Sequence, residues 1–491
     1  MKWLKLSVFL FVLFIFFYLR LTPIINQTVP YTYDQGRDFL KAEEIIRDKN
    51  LTFIGPTTGI QGVYHGAWWY YILALFYLIF NGWPIGFYYG LFILSTIAII
   101  LFYFFVKREF GWQSSLLFLL IVTVGDFFIR LGFFASNNTI SPLFMLLLIY
   151  SVYQFFKTKS NKYLFLIFFS LGFIFEFEVA FGIFMLLSFL TTSFFFKLFR
   201  DSYLNIKKLV CFFGGFIIPF FPRLLFEVKN DFIQTKAFIN FYIHPTSTNQ
   251  QSFLSTLIER AQIFFRYYLQ LIPKENVYFG VLIFLFFIYL LIRSIKKIKQ
   301  DKKNSILFFS LLILAIFLVS LISRNNFFWD YYLDGTQFII LFTLVLIFSL
   351  DNKLKLVKNI LLGIFLLNIV ISFSQSLGDK NIPLVGLKAD NKIVNYFIEN
   401  SKNKYFCLRI YTPPVIPYTY YYLLSYYANH QKLIYPRQEF TDNKCYFIFD
   451  KEPYQFRVDK WRQENIPKEA KLTKIKKIEN GTIIELWSLD N

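Results

Sequence analysis

Two aspartates supply the first candidate chemistry. In YTYDQGRDFLKAEEIIRDKN (31–50), Asp34 and Asp38 stand one helical turn apart, so a helix beginning near Gly36 brings their carboxylates close together. Such a pair suits general-base work or ligation of a divalent cation through oxygen. Downstream, IGPTTGIQGVYHGAWWYY (54–71) is a Gly- and Pro-punctuated loop that delivers His65. The other charges of the first stretch, Lys41, Glu43, Glu44, Arg47, Asp48 and Lys49, read as a solvated amphipathic helix with Glu43 and Arg47 as an i,i+4 pair.

The elements that must position these groups follow from composition. The chain has 491 residues, is 56% hydrophobic and carries a net charge of +20, which is more apolar surface than one soluble core can hide. In such a protein excess lysine belongs to cytoplasmic loops rather than to a nucleic-acid surface. The 68 Phe, alongside abundant Ile, Lys, Tyr and Asn, fit an AT-rich coding sequence and carry no functional argument.

Residues 3–24 follow Lys2 and Lys5 and lack a small-x-small cleavage site, so they read as an uncleaved signal anchor with the amino end in the cytoplasm. Apolar runs of spanning length recur near 84–106, 113–131, 138–156, 162–178, 179–196, 209–227, 277–295, 305–323, 331–350 and 359–377, eleven in all with the first. GAWWYYILALFYLIF (66–80) is short for a span and reads as a membrane-lying helix. With it left out, every loop assigned to the cytoplasm is lysine-rich: Lys107 and Arg108; Lys157 to Lys162; Lys197 to Lys208; Arg293 to Lys303; Lys353 to Lys358. The expectation is a polytopic α-helical protein of the cytoplasmic membrane, with about eleven transmembrane helices in residues 1–377. Residues 25–83 form an external loop, and 378–491 a small extracytoplasmic α/β domain.

That topology places Asp126, Arg130, Asn137, Asn138, Glu176, Glu178, Arg223, Glu227, Arg324, Asp330 and Asp334 near external helix ends. Ionisable groups in spans are costly unless they face a cavity or each other, so their shared side predicts a polar cavity open to the outer face. Arg223, Arg324 and then Arg130 are the candidate phosphate ligands, because Arg suits bidentate phosphate contact. Arg37 and Arg266 are further candidates that read equally as surface groups. Glu176 and Glu178 read either as ligands for sugar or acceptor hydroxyls or as a buried proton-sharing pair.

The order of these features resembles the membrane glycosyltransferases of the C-type (GT-C) fold, family 39-like, nearest in pattern to the protein O-mannosyltransferases and lipid A aminoarabinose transferases. The matching features are the early Asp34, the Gly-Pro turn, HGAWWYY (65–71), SNNTISPLF (136–144), IIPFFPRLLFEVKNDFIQTKAF (217–238) and YYLDGTQFII (331–340). They cover roughly residues 1–350; their order and topology, rather than any single motif, carry the likeness. The resemblance implies transfer of a sugar from a polyprenyl-phosphate donor to a lipid, glycan or protein acceptor outside the membrane. Inversion is expected, with Asp34 as base and His65, Asn138 and Tyr332 among the substrate contacts. The chain departs from the pattern in two places. The acid usually following the Asp is Gln35, leaving Asp38 as the substitute, and the His-Pro-Pro of the mannosyltransferases is reduced to His65-Gly66-Ala67, which argues against a protein O-mannosyltransferase as such.

Three histidines, His65, His244 and His430, give no ligand spacing, and no Walker-type loop is present. No cofactor is expected beyond the lipid-linked donor, with Asp34 and Asp38 as the one pair able to hold a divalent cation. In the tail, a hairpin is expected around Asn480-Gly481, and Cys407 and Cys445 read as a disulfide or as two buried thiols. The tyrosine-rich 411–430 reads as a sugar-stacking platform or, more ordinarily, a docked helix. An outer-leaflet polysaccharide polymerase or ligase is the alternative enzyme, and a lipid or glycan transporter the alternative non-enzyme. A transporter should show repeats and broken helices at midmembrane, and the sequence has no repeat.

Overall fold

A computed structural model of the chain describes residues 2–243, 251–272, 275–294, 300–323, 328–350, 354–378, 382–401, 403–413 and 416–489; His244 and Arg324 lie outside these. The first expected span is α1 (Lys2–Ile25). The loop after it folds as α2 (Tyr33–Arg47), an antiparallel hairpin of β1 (Ile54–Thr57) and β2 (Tyr64–Gly66), and α3 (Trp68–Phe80). The bundle continues through α4 (Pro84–Phe110), α5 (Trp112–Val124), the short α6 (Asp126–Arg130), α7 (Ser141–Thr158), α8 (Asn161–Phe177), α9 (Val179–Phe194) and α10 (Lys197–Tyr203). It is completed by α11 (Ile206–Lys229), α12 (Ile233–Ile243), α13 (Phe253–Leu269), α14 (Val277–Ser294), α15 (Gln300–Ser320), α16 (Thr336–Phe348) and α17 (Lys355–Gly378).

Each of the eleven apolar runs is helical over most of its described length. Among the described residues six helices are long and apolar enough to cross a membrane, and a seventh span arises if α9 and α10, bent by 106°, count as one. The others are shorter or broken, so eleven is the number of apolar runs and not an established number of crossings. Exposed rows such as Phe14 on α1, Phe213 and Phe221 on α11, and Leu282 and Leu285 on α14 are surfaces suited to lipid. The lysine-rich loops gather at one end. Lys157 of α7 binds Glu109 of α4 at 2.6 Å, Gln113 of α5 donates to Asn359 of α17 at 2.6 Å, and Lys302 of α15 reaches Ser349 at the end of α16 at 3.3 Å, which ties the helix ends there in pairs.

At the opposite end the apolar runs are broken. The run 113–131 is interrupted at Gly125, which is extended (φ −69°, ψ 126°) between α5 and α6. The run 138–156 begins as a 3₁₀ turn at Asn137–Thr139, and the run 331–350 begins as another at Asp330–Leu333 before turning through Gly335 (φ 115°) into α16. A single extended residue, Glu178 (φ −143°, ψ 98°), joins α8 to α9. Carbonyls freed at such breaks need partners, and side chains supply them. Arg20, fully buried in α1, donates to Val122 O at 2.6 Å and Phe128 O at 3.0 Å. Gln35 donates to Ala135 O at 2.8 Å, Asn137 to Phe177 O at 2.6 Å, and the Tyr267 hydroxyl to Asp330 O.

Beyond α17, the tail forms α18 (Gly386–Ser401), β3 (Leu408–Tyr411), α19 (Tyr418–Asn429), β4 (Lys444–Phe449), α20 (Gln455–Asn465), β5 (Ala470–Lys477) and β6 (Ile483–Leu489). The sheet order is β3-β4-β6-β5, with β3 parallel to β4 and the other pairs antiparallel. The expected hairpin around Asn480-Gly481 is β5–β6, and Cys407 and Cys445 are disulfide-bonded.

The tyrosine-rich stretch is the docked helix α19, with Tyr420 and Tyr422 buried. It packs on α2, which corrects the reading of α2 as solvated: Glu43 is only 7% exposed and accepts from Ser425 at 2.9 Å and from Asn429, while keeping its pair with Arg47 at 3.3 Å. The approach is so close that a Cβ on Gly36 would lie 2.4 Å from the backbone of Tyr418 and Thr419. Replacing Gly36 with Ala should therefore lower stability by about 1–3 kcal/mol, the usual penalty of overpacking, and speed proteolysis between α18 and α19. Unchanged melting and unchanged cleavage would contradict this docking.

Candidate active site

The helix breaks surround a cavity of about 1630 Å³ at the end opposite the lysine-rich loops. Its polar wall comes from α2 (Asp34, Arg37), the β1–β2 hairpin (Thr57, His65), the segment between α6 and α7 (Arg130, Asn137, Asn138), the α8–α9 joint (Glu178) and the turn before α16 (Asp330, Tyr332, Asp334). Its apolar wall comes from Ile183 and Phe184 of α9, Phe238 and Phe241 of α12, Phe253 of α13, and Leu318 and Ile322 at the end of α15.

Asp34 is placed by its helix start. Thr32 is the N-cap and Gln35 closes a capping box, accepting from Thr32 N at 2.8 Å and Thr32 Oγ1 at 2.7 Å. The helix thus starts at Tyr33, three residues before the expected Gly36, and Asp34 stands in its first turn with its side chain 59% exposed. Arg37 bridges the two aspartates, 2.9 Å from Asp34 Oδ1 and 2.8 Å from Asp38 Oδ1. Burial works against the Arg37 charge, but Asp38, Tyr70 and Asp34 together hold its pKa above the ordinary value.

Asp38 does not reach the cavity. It is 1% exposed, and its second oxygen accepts from Trp69 Nε1 at 2.7 Å. Burial pushes its pKa up to about 6, against the opposing pull of Arg37 and Trp69. Trp69 docking from α3 turns this face of α2 inward, so Asp38 braces Arg37 instead of standing in for the missing second acid. The position a cation would take between the two carboxylates is held by the guanidinium. Among the described residues no three His, Cys, Asp or Glu side chains are grouped as a metal would need.

The arginines divide differently from expectation. Arg223, ranked first with Arg324 as a phosphate ligand, is 8% exposed and does not line the cavity. It donates to Glu176 at 2.6 Å, Tyr64 O at 2.9 Å and Gln234 at 3.0 Å, anchoring the β1–β2 hairpin to α8 and α11. Arg130 lines the cavity and its guanidinium makes no hydrogen bond or ion pair with any described residue; the acid that feels its charge is Asp334, on the same cavity wall. Arg266 pairs with Asp330 at 2.6 Å.

Glu176 and Glu178 are not a proton-sharing pair. Glu176 is fully buried against Arg223, while Glu178 lines the cavity. Glu176 is on the last turn of α8 and Glu178 is the extended residue just past its end, so the two side chains point apart. His65, Asn138 and Tyr332 all line the cavity. His65 is 7% exposed, and burial together with Arg223 and Arg37 lowers its pKa to about 3. Its Nδ1 accepts from Val179 N at 3.4 Å, so the neutral ring carries its proton on Nε2. Two residues given little weight in the sequence join the site: Arg37, whose i,i+3 spacing from Asp34 was the signal, and Asp334, in the YYLDGTQFII stretch.

The buried pair gives a test. Arg223→Met strands the Glu176 charge and should destabilise the protein by about 3–5 kcal/mol, whereas Arg223→Met with Glu176→Leu should recover most of that loss. Thermal melts of both variants in detergent check this. A single variant that melts like the parent would contradict the anchoring role.

Comparison with known proteins comes to the same fold. Residues 65–225 match the family model described as dolichyl-phosphate-mannose-protein mannosyltransferase. No relative among the curated proteins matches the sequence. The crystal structure of ArnT from Cupriavidus metallidurans bound to undecaprenyl phosphate and that of ArnT in the apo state each superpose with a TM-score of 0.61. Each covers 99% of this chain and 98% of the other at 10% identity, a likeness of fold. The chain thus resembles the C-type membrane glycosyltransferases in fold over nearly its whole length, and in sequence over residues 65–225.

Proposed function

We propose that the chain is a membrane glycosyltransferase that moves a sugar from a polyprenyl-phosphate-linked donor to a lipid, glycan or protein acceptor on the outer face of the cytoplasmic membrane. The observation that carries this reading is one cavity with two walls: on the polar side an exposed carboxylate, Asp34, and an arginine in no ion pair among the described residues, Arg130, and on the other a row of Phe, Leu and Ile. The apolar wall suits a polyprenyl tail and the polar wall a phosphosugar. The mannosyltransferase description of the matching family model and the undecaprenyl phosphate bound to ArnT support the same donor class.

In this reading Asp34 accepts the proton of the acceptor hydroxyl as its oxygen attacks the anomeric carbon. The bond from that carbon to the phosphate oxygen breaks with inversion, and polyprenyl phosphate leaves. The donor is already activated, so the protein orients the hydroxyl, takes one proton and stabilises the charge gathering on phosphate. Arg130 does the last, as a charge-assisted donor in a partly apolar cavity. Neutral His65, Asn138, Tyr332 and Glu178 offer hydrogen bonds to sugar or acceptor hydroxyls. The positive-inside bias assigns the lysine-rich end to the cytoplasm, and with it the amino terminus; the cavity and residues 378–491 then face outward.

The test is consumption of lipid-linked sugars by purified protein, read by mass spectrometry over a panel of donors. Asp34→Asn should lower kcat by about 10²–10⁴-fold with donor KM within about twofold of the parent. Arg130→Ala should raise donor KM by about 10–100-fold, as expected for a lost charge-assisted hydrogen bond. Full activity in Asp34→Asn would overturn the assignment of the base, and no consumption of any lipid-linked sugar by the parent would overturn the function.

A further inference from the structure

The residue next to Asp34 uses the two ends of one amide in opposite senses, one accepting and the other donating. Gln35 is 2% exposed and does not line the cavity. Its Oε1 accepts from Thr32 N and Oγ1, closing the first turn of α2 on which Asp34 stands. Its Nε2 donates to Ala135 O at 2.8 Å, a hundred residues away in the chain. Ala135 sits in the non-helical segment between α6 and α7, five residues after Arg130 and three before Asn138. The far ends of that segment are held by other groups, Arg20 at Phe128 O and Asn137 at Phe177 O. Only Gln35 joins it to α2 among the described side-chain hydrogen bonds.

We propose that Gln35 is a positioning residue, whose amide sets the register between the helix that presents Asp34 and the cavity wall that presents Arg130 and Asn138. An amide is required because one end must accept and the other donate. An ionised carboxylate keeps the cap but turns an oxygen on Ala135 O, and an apolar side chain of the same length loses the cap and the Ala135 bond alike. The proposal rests on Asp34 and Arg130 acting together as the proposed function has it. A slip of about 1 Å between such groups can cost on the order of 10²-fold in rate.

Two variants and two readouts test it. In Gln35→Met, kcat for sugar transfer should fall at least tenfold, with donor KM changing less, since the Arg130 side chain and the apolar wall are retained. Hydrogen–deuterium exchange over residues 31–36 and 125–140 should rise while the rest of the protein keeps its protection. In Gln35→Glu, the ratio of mutant to parent activity should climb as pH falls. Burial raises the pKa of the new carboxyl, and once protonated it can donate to Ala135 O again. Parent-like kcat with parent-like exchange in Gln35→Met would overturn the proposal, as would a loss in Gln35→Glu that does not change with pH. If the parent transfers no sugar, the function fails by itself, and the exchange measurement still decides whether the tie exists.

Discussion

A carbonyl freed from a helix inside lipid has no water to bind, so a broken helix there must face a cavity or find a side chain. This constraint organises the end of the bundle that matters. Four apolar segments are interrupted there, near Gly125, Asn137, Glu178 and Gly335. Each interruption contributes to the wall of one cavity, and the released backbone is met by Arg20, Gln35, Asn137 and Tyr267. The breaks trade regular hydrogen bonding for a surface on which polar side chains can point inward at membrane depth. Without the capping groups the same breaks would be holes in the fold.

The charges obey a related economy. Most of the ionisable groups at this end are committed to neighbours: Arg223 to Glu176, Glu227 to the backbone of Gln234 and Thr235, Asp38 to Arg37 and Trp69. Those pairs hold the hairpin, the α11–α12 turn and α2 in place. What is left facing the cavity is a smaller set, in which Asp34 is exposed and Arg130 forms no ion pair among the described residues. That division separates scaffold from candidate chemistry more sharply than charge alone could.

Much of this was legible in the sequence, and for physical reasons. Apolar runs of about twenty residues must be helices in lipid, and each is helical over most of its described length. The common side of the polar groups followed from the lysine pattern of the loops, and the lysine-rich ends do lie together. Sequence could not say which polar groups face the cavity and which face each other. Glu176 and Glu178 differ by two positions and by a helix end that no breaker residue marks. Arg223 sits at an expected depth but turns toward α8. Asp38 was read with Asp34 on one helical face, yet Trp69 from another segment decides where it points. The docking of α19 depends on the absence of a single Cβ at Gly36, a contact with residues nearly four hundred positions away.

An experimental structure with a polyprenyl phosphate bound would test the central claim most directly, because that claim is geometric. The phosphate should lie within hydrogen-bonding distance of the Arg130 guanidinium, on the same side of the cavity as Asp34, with the first isoprene units along Phe184, Phe238 and Leu318. A phosphate seated outside this cavity, or in it but beyond the reach of Arg130 and remote from Asp34, would contradict the account.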